Sequence, residues 1–310
     1  MDITRQTALR REQKGGTYVL MTAAYNEEAH IEKTLQSVLA QTLLPQRWVI
    51  VSDNSNDGTD EIIKRYAKRY DFIRFLRVTR LPGHSFVSKV EALHSGAKFL
   101  DDVSYEYIGN IDADISVEAT YFADLIGQFE QHSALGVTGG FVYEDIEGQF
   151  ASRKINDIRN VAHAAQLVRR ACYEAIGGYK VLKYGGEDWH AQTCARMGGW
   201  DVQAIPSLHI FHHRRTGAAD RPYRDRFRLG RLDYSFGSDP MFEIAKCLKR
   251  LREAPYVLGA MTRLAGFVWG YISREQKAVS DDFVAFLRKE QRSRVKSLFR
   301  ADRRTIGGVS

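Results

Sequence analysis

Up to about residue 140, short apolar runs alternate with stretches whose apolar residues recur every three or four positions. "TYVLMTA" (17–23) predicts a buried strand, and "NEEAHIEKTLQSVLAQ" (26–41) predicts a helix carrying Ile31, Leu35, Val38 and Leu39 on one side. Asn26, followed by the acids Glu27 and Glu28, marks the expected helix start. The alternation continues through strand "RWVIVSD", helix "DGTDEIIKRYAKRY", strand "FIRFLRV" and helix "SFVSKVEALHSGAKFL". Strand "YEYIGNIDAD", helix "VEATYFADLIGQFEQH" and strand "GVTGGFVY" complete the series. Strands alternating with helices of this length predict an α/β fold, with a mostly parallel central sheet covered by helices on both faces. Ligands of such sheets bind beyond the carboxyl ends of the strands. Three polar segments fall there: "AAYNE" (23–27), "SDNSNDG" (52–58) and "NIDADI" (110–115). After about residue 205 the pattern turns basic, aromatic and helical. The expected division is an N-terminal tail (1–16), an α/β domain (17–215) and a basic, amphipathic helical region (216–310).

Composition adds little to the fold but separates the two parts. A hydrophobic content of 44% supplies a sizeable core, and the three cysteines, odd in number and far apart, offer no disulfide framework. They fit a reducing compartment, and the polar N-terminus shows no apolar stretch of the kind a signal peptide has. Residues 1–210 hold 23 Lys and Arg against 27 Asp and Glu, whereas residues 211–310 hold 22 against 11. A basic tail region on a mildly acidic body points to an anionic partner surface. By charge alone that surface is nucleic acid or anionic lipid, and a solvated basic face without partner is a third reading.

Three motifs carry candidate chemistry. In "VSDNSNDGT" the spacing of Asp53, Ser55 and Asp57 before Gly58 imitates a calcium loop, but Lys64 occupies the position that needs a bidentate Glu. Asp53 then remains as a strand-end acceptor for a nucleoside, and Asp57 as a cap for the following helix. In "IDAD", Asp112 and Asp114 are two residues apart, so on a strand they share a face and reach one ligand. Mg²⁺ and Mn²⁺ suit such a pair, taking their remaining ligands from phosphates and water. A strand-end turn or a cap for the helix expected from Val117 is the structural alternative. In "GGEDW", Gly185 and Gly186 allow close backbone approach, and Glu187 with Asp188 opens a helix. Beyond helix initiation, a carboxylate there suits a general base. No glycine-rich phosphate loop follows the first strand, which excludes dinucleotide enzymes of the usual pattern and P-loop kinases.

In this order, "TAAYNEE", "VSDNSNDGT", a basic residue before "ALHSG", "IDAD" and "GGEDW" resemble the family-2 glycosyltransferases of the GT-A fold over residues 17–215. The resemblance implies a nucleotide-diphospho-sugar donor held at Ala23, Tyr25 and Asp53, with Lys89 and Asp112 also at the donor. It implies Mg²⁺ or Mn²⁺ at Asp114 and Asp112. Asp188, with Glu187 beside it, becomes the base of an inverting hexosyl transfer to a sugar or lipid-linked acceptor. The pattern departs from the family at Ala23, where proline is usual nearby, and at His94, which replaces an asparagine. The Q-x-x-R-W of processive synthases is absent and "HIFHHRRTG" stands in its place, which favours transfer of a single sugar. His213 is there a candidate ligand of metal or diphosphate, and a packed or surface histidine equally.

The C-terminal part resembles the tails of bacterial envelope and exopolysaccharide members. Met241, Phe242, Ile244, Ala245, Leu248 and Leu251 line one helix face, with Lys246, Lys249, Arg250 and Arg252 elsewhere, an interfacial pattern. Residues 255–273 are apolar but hold Arg263 mid-run and barely reach spanning length. A monotopic hairpin or interfacial helix fits best; core or dimer packing and a true span are the other readings. The expected setting is cytoplasmic, peripheral on the inner face of the cell membrane, with an anionic lipid surface and no nucleic acid as partner. Two rival functions are a sugar-phosphate nucleotidylyltransferase, whose glycine-rich basic loop is missing, and a catalytically silent glycan-binding or membrane scaffold protein.

Overall fold

The computed structural model describes residues 16–79, 86–214, 222–252 and 255–306, so residues 1–15 of the expected tail lie outside the described residues. The chain divides into two compact units, one of residues 1–181 with 187–216, the other of residues 182–186 with 217–310.

The first unit is built on a nine-stranded sheet. β1 (Tyr18–Ala24), β2 (Arg47–Asp53), β3 (Ile73–Val78) and β4 (Tyr107–Ile111) run parallel in the order β3-β2-β1-β4. Three helices connect them: α1 (Ile31–Leu39), α2 (Thr59–Arg69) and α3 (Phe86–Ala97). Alternate residues of β1 feed separate cores. Tyr18 and Leu20 join Ile31, Leu35 and Ile63 in one, while Val19 and Met21 join Val90 and Leu93 in the other. Burial on both faces explains why β1 and β2 read as apolar runs, whereas β3, at the end of the strand order, is interrupted by the exposed Arg74 and Arg77.

Beyond β4 the sheet becomes mixed. β5 (Ile115–Val117) is followed by α4 (Tyr121–Gln131), β6 (Leu135–Ile146), β7 (Gln149–Ser152), β8 (Ala165–Arg169) and α5 (Arg170–Ala175). The unit closes with α6 (Glu187–Met197) and β9 (Asp201–His212). β8 pairs antiparallel with both β4 and β6; β9 runs parallel to β6 and antiparallel to β5. Gly109 in β4 permits the β4–β8 approach, since a Cβ there would lie 2.5 Å from the Gln166 carbonyl oxygen.

Two helix starts differ from the sequence expectation. Asn26 takes a φ of 53° in a turn, and α1 begins only at Ile31, whose amide bonds to the Glu27 carbonyl at 2.8 Å. Val117 belongs to β5, paired with Ile210, so α4 begins four residues later than periodicity predicts. Long-range pairing overrode local propensity in the second case.

The second unit is helical: α7 (Pro222–Ser235), α8 (Pro240–Lys249), α9 (Tyr256–Ile272) and α10 (Asp281–Ile306). α7 and α9 cross at Gly230 and Gly266, where an added Cβ would collide with the backbone oxygens of Arg263 and Phe227 respectively. Arg263, which interrupts the apolar run by sequence, is buried and bonded to Asp233 and to Glu243 Oε1 at 3.0 Å. The outer faces carry exposed Met241, Ile244 and Leu248 on α8, and Leu258, Met261, Trp269 and Ile272 on α9. No helix among the described residues is long and apolar enough to cross a membrane.

Candidate active site

The loops after β1 and β2 are stitched to each other. Asn26 Oδ1 accepts from the Asn56 amide at 2.9 Å, and the Glu27 amide donates to Thr59 Oγ1 at 2.8 Å. Glu28 Oε2 accepts from the Gly58 amide at 3.0 Å, and Asp57 Oδ2 from the Glu28 amide at 3.2 Å. Asp57 Oδ1 also accepts from the Thr59 amide at 3.0 Å, a turn one residue before the N-cap, which is Gly58 rather than Asp57. Within "SDNSNDG", Asp57 and the paired Ser52 and Ser55 hydroxyls shape the loop. This leaves Ala23 and Asp53 near the carboxyl ends of the neighbouring strands β1 and β2, with Tyr25 just past β1; Asp53 is buried and Tyr25 exposed.

β4 ends at Ile111, so Asp112 and Asp114 sit in the turn that follows and not on the strand. The two carboxylates consequently have different partners. Asp112 Oδ1 accepts a 2.7 Å hydrogen bond from Lys89 Nζ of α3. Burial pushes the Asp112 carboxyl up, against the Lys89 charge and with the Asp114 charge adding to the rise. Burial would lower Lys89, but the charges of Asp112 and then Glu187 outweigh it and hold the ammonium above its ordinary value. Asp188 belongs to the same electrostatic group. Burial raises its carboxyl, opposed by a 2.7 Å hydrogen bond from the Trp189 amide and by the Lys89 charge. Glycines 185 and 186, both at positive φ, turn the chain into α6 so that Glu187 and Asp188 fall in its first turn.

Asp114 lies at the other centre. Its Oδ2 meets His212 Nε2 at 2.9 Å and Arg214 Nη2 at 2.7 Å, and the same Arg214 nitrogen meets Glu27 Oε1 at 2.7 Å. Burial alone would raise Asp114, but the hydrogen bond and charge of His212, followed by Arg214, hold it down at about 2. Glu27 is pushed up to about 7 by burial and by the Asp114 charge. His213 is turned elsewhere: its Nε2 meets Ser116 Oγ at 2.8 Å and its ring stacks on His30. The histidine on the acidic site is thus His212, one residue before the expected candidate.

The structure brings Lys89, Asp112, Glu187 and Asp188 together, and Asp114 with Glu27, His212 and Arg214. The second set was only partly visible in sequence. Glu27 read as a helix-start acid, and Arg214 sat unmarked inside "HIFHHRRTG". The pairing of β5 with β9, with Ile115 opposite His212, is what delivers both His212 and Arg214 to Asp114.

A mostly parallel sheet whose strand ends gather acids and a half-buried lysine defines an α/β protein with its candidate site at the carboxyl ends of the strands. Residues 20–183 match the family model "Glycosyl transferase family 2", and the chain belongs to that family. It is similar to the poly-beta-1,6-N-acetyl-D-glucosamine synthase of Staphylococcus aureus (strain COL), 35% identical over 131 residues, which are 42% of this chain and 29% of that protein. The chain thus matches less than a third of the length of such curated relatives. The fold is similar to that of mannosyltransferase PcManGT from Pyrobaculum calidifontis, solved with GDP-Man and Mn2+ (TM-score 0.53, 15% identity, 96% of this chain and 88% of that chain covered). It is also similar to S. aureus TarS 1-349 in complex with UDP-GlcNAc (TM-score 0.52, 15% identity, 87% and 78% covered). The fold is GT-A.

Proposed function

We propose that the chain is an inverting, metal-dependent hexosyltransferase that moves a single sugar from a nucleotide-diphospho-sugar to a hydroxyl acceptor in envelope polysaccharide or glycolipid synthesis. One observation carries this reading: a single lysine, Lys89, ties the Asp112 carboxylate to the Glu187–Asp188 pair. Donor and base motifs that are far apart in sequence thereby share one site. Ala23, Tyr25 and Asp53 hold the nucleoside, and Lys89 and Asp112 face the diphospho-sugar. Asp188 takes the proton of the acceptor hydroxyl as that oxygen attacks the anomeric carbon, and burial strengthens it as a base. Glu187, 7% exposed, adds a second negative charge beside Lys89.

The donor set fits a divalent ion. Among the described residues, no group of three or more His, Cys, Asp and Glu side chains is arranged to hold a metal by itself. Asp114 and, in its neutral form, His212 offer two ligands side by side, with Asp112 close by. Mg²⁺ sites of this kind complete their shell with substrate phosphates and water. When bound, Mg²⁺ or Mn²⁺ supplies Lewis-acid neutralisation of the departing diphosphate.

The outer faces of α8 and α9 support an anionic membrane surface as partner, with a sugar or lipid-linked acceptor presented there. Leu258, Met261, Trp269 and Ile272 are exposed in a region of net positive charge. Such a pattern lies in the interface rather than across it, which favours a peripheral position on the inner face of the cell membrane.

The test is turnover of UDP-, GDP-, dTDP- and CDP-sugars with Mn²⁺, read by release of the nucleoside diphosphate and by the mass of the glycosylated product. Sugar transfer that is lost with EDTA supports the proposal. No turnover of any donor defeats it, and products with many added sugars defeat the single-transfer reading.

A further inference from the structure

Arg214 Nη2 lies 2.7 Å from Glu27 Oε1 and 2.7 Å from Asp114 Oδ2. One nitrogen thus carries positive charge between two carboxylates that are 8% and 4% exposed. That is the place, and the sign of charge, at which Glu27 and Asp114 would hold a divalent ion. His212 Nε2 reaches the same Asp114 oxygen at 2.9 Å, so an imidazole that ligates once neutral stands beside the spot. Among the described residues, Glu27 Oε2 and His30 Nδ1 are buried without a hydrogen-bond partner, so the wall holds more ligand atoms than Arg214 satisfies. Arg214 itself is 54% exposed and follows the end of β9 by two residues, so its guanidinium can leave without opening the core.

We propose that Arg214 is a resident cation. It occupies the Glu27–Asp114 pair in the free protein and yields that position to the divalent ion only when a nucleotide diphosphate arrives. This rests on the metal-dependent reading above and adds Glu27 and Arg214 to the cation site.

The physical argument is competition for one place. Two carboxylates facing an empty gap repel each other, and Arg214 relieves the repulsion with two charge-assisted hydrogen bonds. An incoming ion must displace that guanidinium, so its apparent affinity is reduced by the fraction of time the place is vacant. A diphosphate reverses the balance twice over. Its oxygens complete the shell of the ion, and its charge gives the displaced guanidinium a planar, bidentate partner. Donor and ion therefore load together, and the free protein takes up little metal.

The experiment measures Mn²⁺ binding by the loss of the free-ion paramagnetic resonance signal, with calorimetry beside it. The proteins are wild type, Arg214→Gln, Arg214→Lys and Asp114→Asn, each without nucleotide and with UDP or GDP, and each checked for an unaltered melting curve. Without nucleotide, Arg214→Gln is expected to bind Mn²⁺ about tenfold more tightly than wild type. Arg214→Lys, which keeps the charge but not the guanidinium, is expected between them. Asp114→Asn should lose binding in every condition. With UDP or GDP the gap between wild type and Arg214→Gln should close. If wild type takes up Mn²⁺ with nucleotide while Arg214→Gln and Arg214→Lys gain nothing without it, the role of Arg214 is overturned and the metal-dependent reading survives. If no protein binds Mn²⁺ in any condition, both fall.

Discussion

Lys89 Nζ stands 2.7 Å from Asp112 Oδ1, and the same ammonium opposes the rise of the Asp188 carboxyl. Lys89→Met should therefore act on both motifs. A base works only when ionised, so if Asp188 is the base proposed above, turnover should rise as pH climbs through its folded-state value. That value already lies above the ordinary aspartate range because of burial. Removing Lys89 takes away a lowering influence, so the acid limb of the rate profile should move to higher pH, and donor affinity should fall. The stability sign follows from the same shift. A carboxyl raised in the folded state gives stability that is present below its unfolded value and lost as pH rises through the folded one. Melting temperature of Lys89→Met against wild type should thus drop more at pH 7 than at pH 4. An acid limb that stays still or moves downward would contradict this electrostatic arrangement.

Much of this centre was legible in sequence because its residues lie at the ends of strongly periodic elements. β1 and β2 announce themselves as apolar runs, and a parallel sheet gathers its strand ends in one region. The glycosyltransferase family and the GT-A fold followed from the order of motifs, and both hold. What sequence did not show depends on pairing between distant segments. β8 is five residues, "AQLVR", with no alternation to mark it, yet it joins the parallel half of the sheet to the rest. His212 and Arg214 reach Asp114 only because β9 pairs with β5, a strand of three residues. The local pattern also misread Asp112 and Asp114 as strand neighbours sharing a face, when the strand stops one residue before them.

Arg263 is a buried charge that holds rather than catalyses. With Lys246 it forms ion pairs to Asp233 and Glu243, which are 1% and 0% exposed. Arg263→Met should destabilise the protein by about 3–5 kcal/mol, because two buried acids then share one lysine. Chemical denaturation of the full chain measures this. Replacing all four charged residues by leucine or methionine should restore most of the loss. A cost below about 1 kcal/mol for Arg263→Met would mean that water already screens the cluster.

The exposed apolar faces make a separate prediction about lipid. Leu258→Glu with Trp269→Glu should reduce sedimentation with phosphatidylglycerol vesicles roughly tenfold or more, each change removing an apolar side chain from the interface. Raising salt should weaken wild-type binding, since the Debye length shrinks to about 3 Å at 1 M. Vesicle binding equal in wild type and double variant would rule out these faces as the membrane contact.

The last prediction separates the labour of the two acidic centres. Asp188 faces Lys89 and the Trp189 amide, whereas Asp114 faces His212 and Arg214. Asp188→Asn keeps size and hydrogen bonding but cannot take the acceptor proton, and losing a general base typically costs about 10²–10⁴-fold in rate. Donor affinity should barely change, because the base meets the acceptor. Asp114→Asn removes a carboxylate held at about 2 by His212 and Arg214. It should weaken metal-dependent donor binding together with turnover. Donor Kd by calorimetry and turnover by product release, measured on both variants, decide the matter. If Asp188→Asn loses donor binding as severely as Asp114→Asn, then Glu187 and Asp188 belong to the donor site. Near-normal turnover in Asp188→Asn would leave the proton transfer to another group.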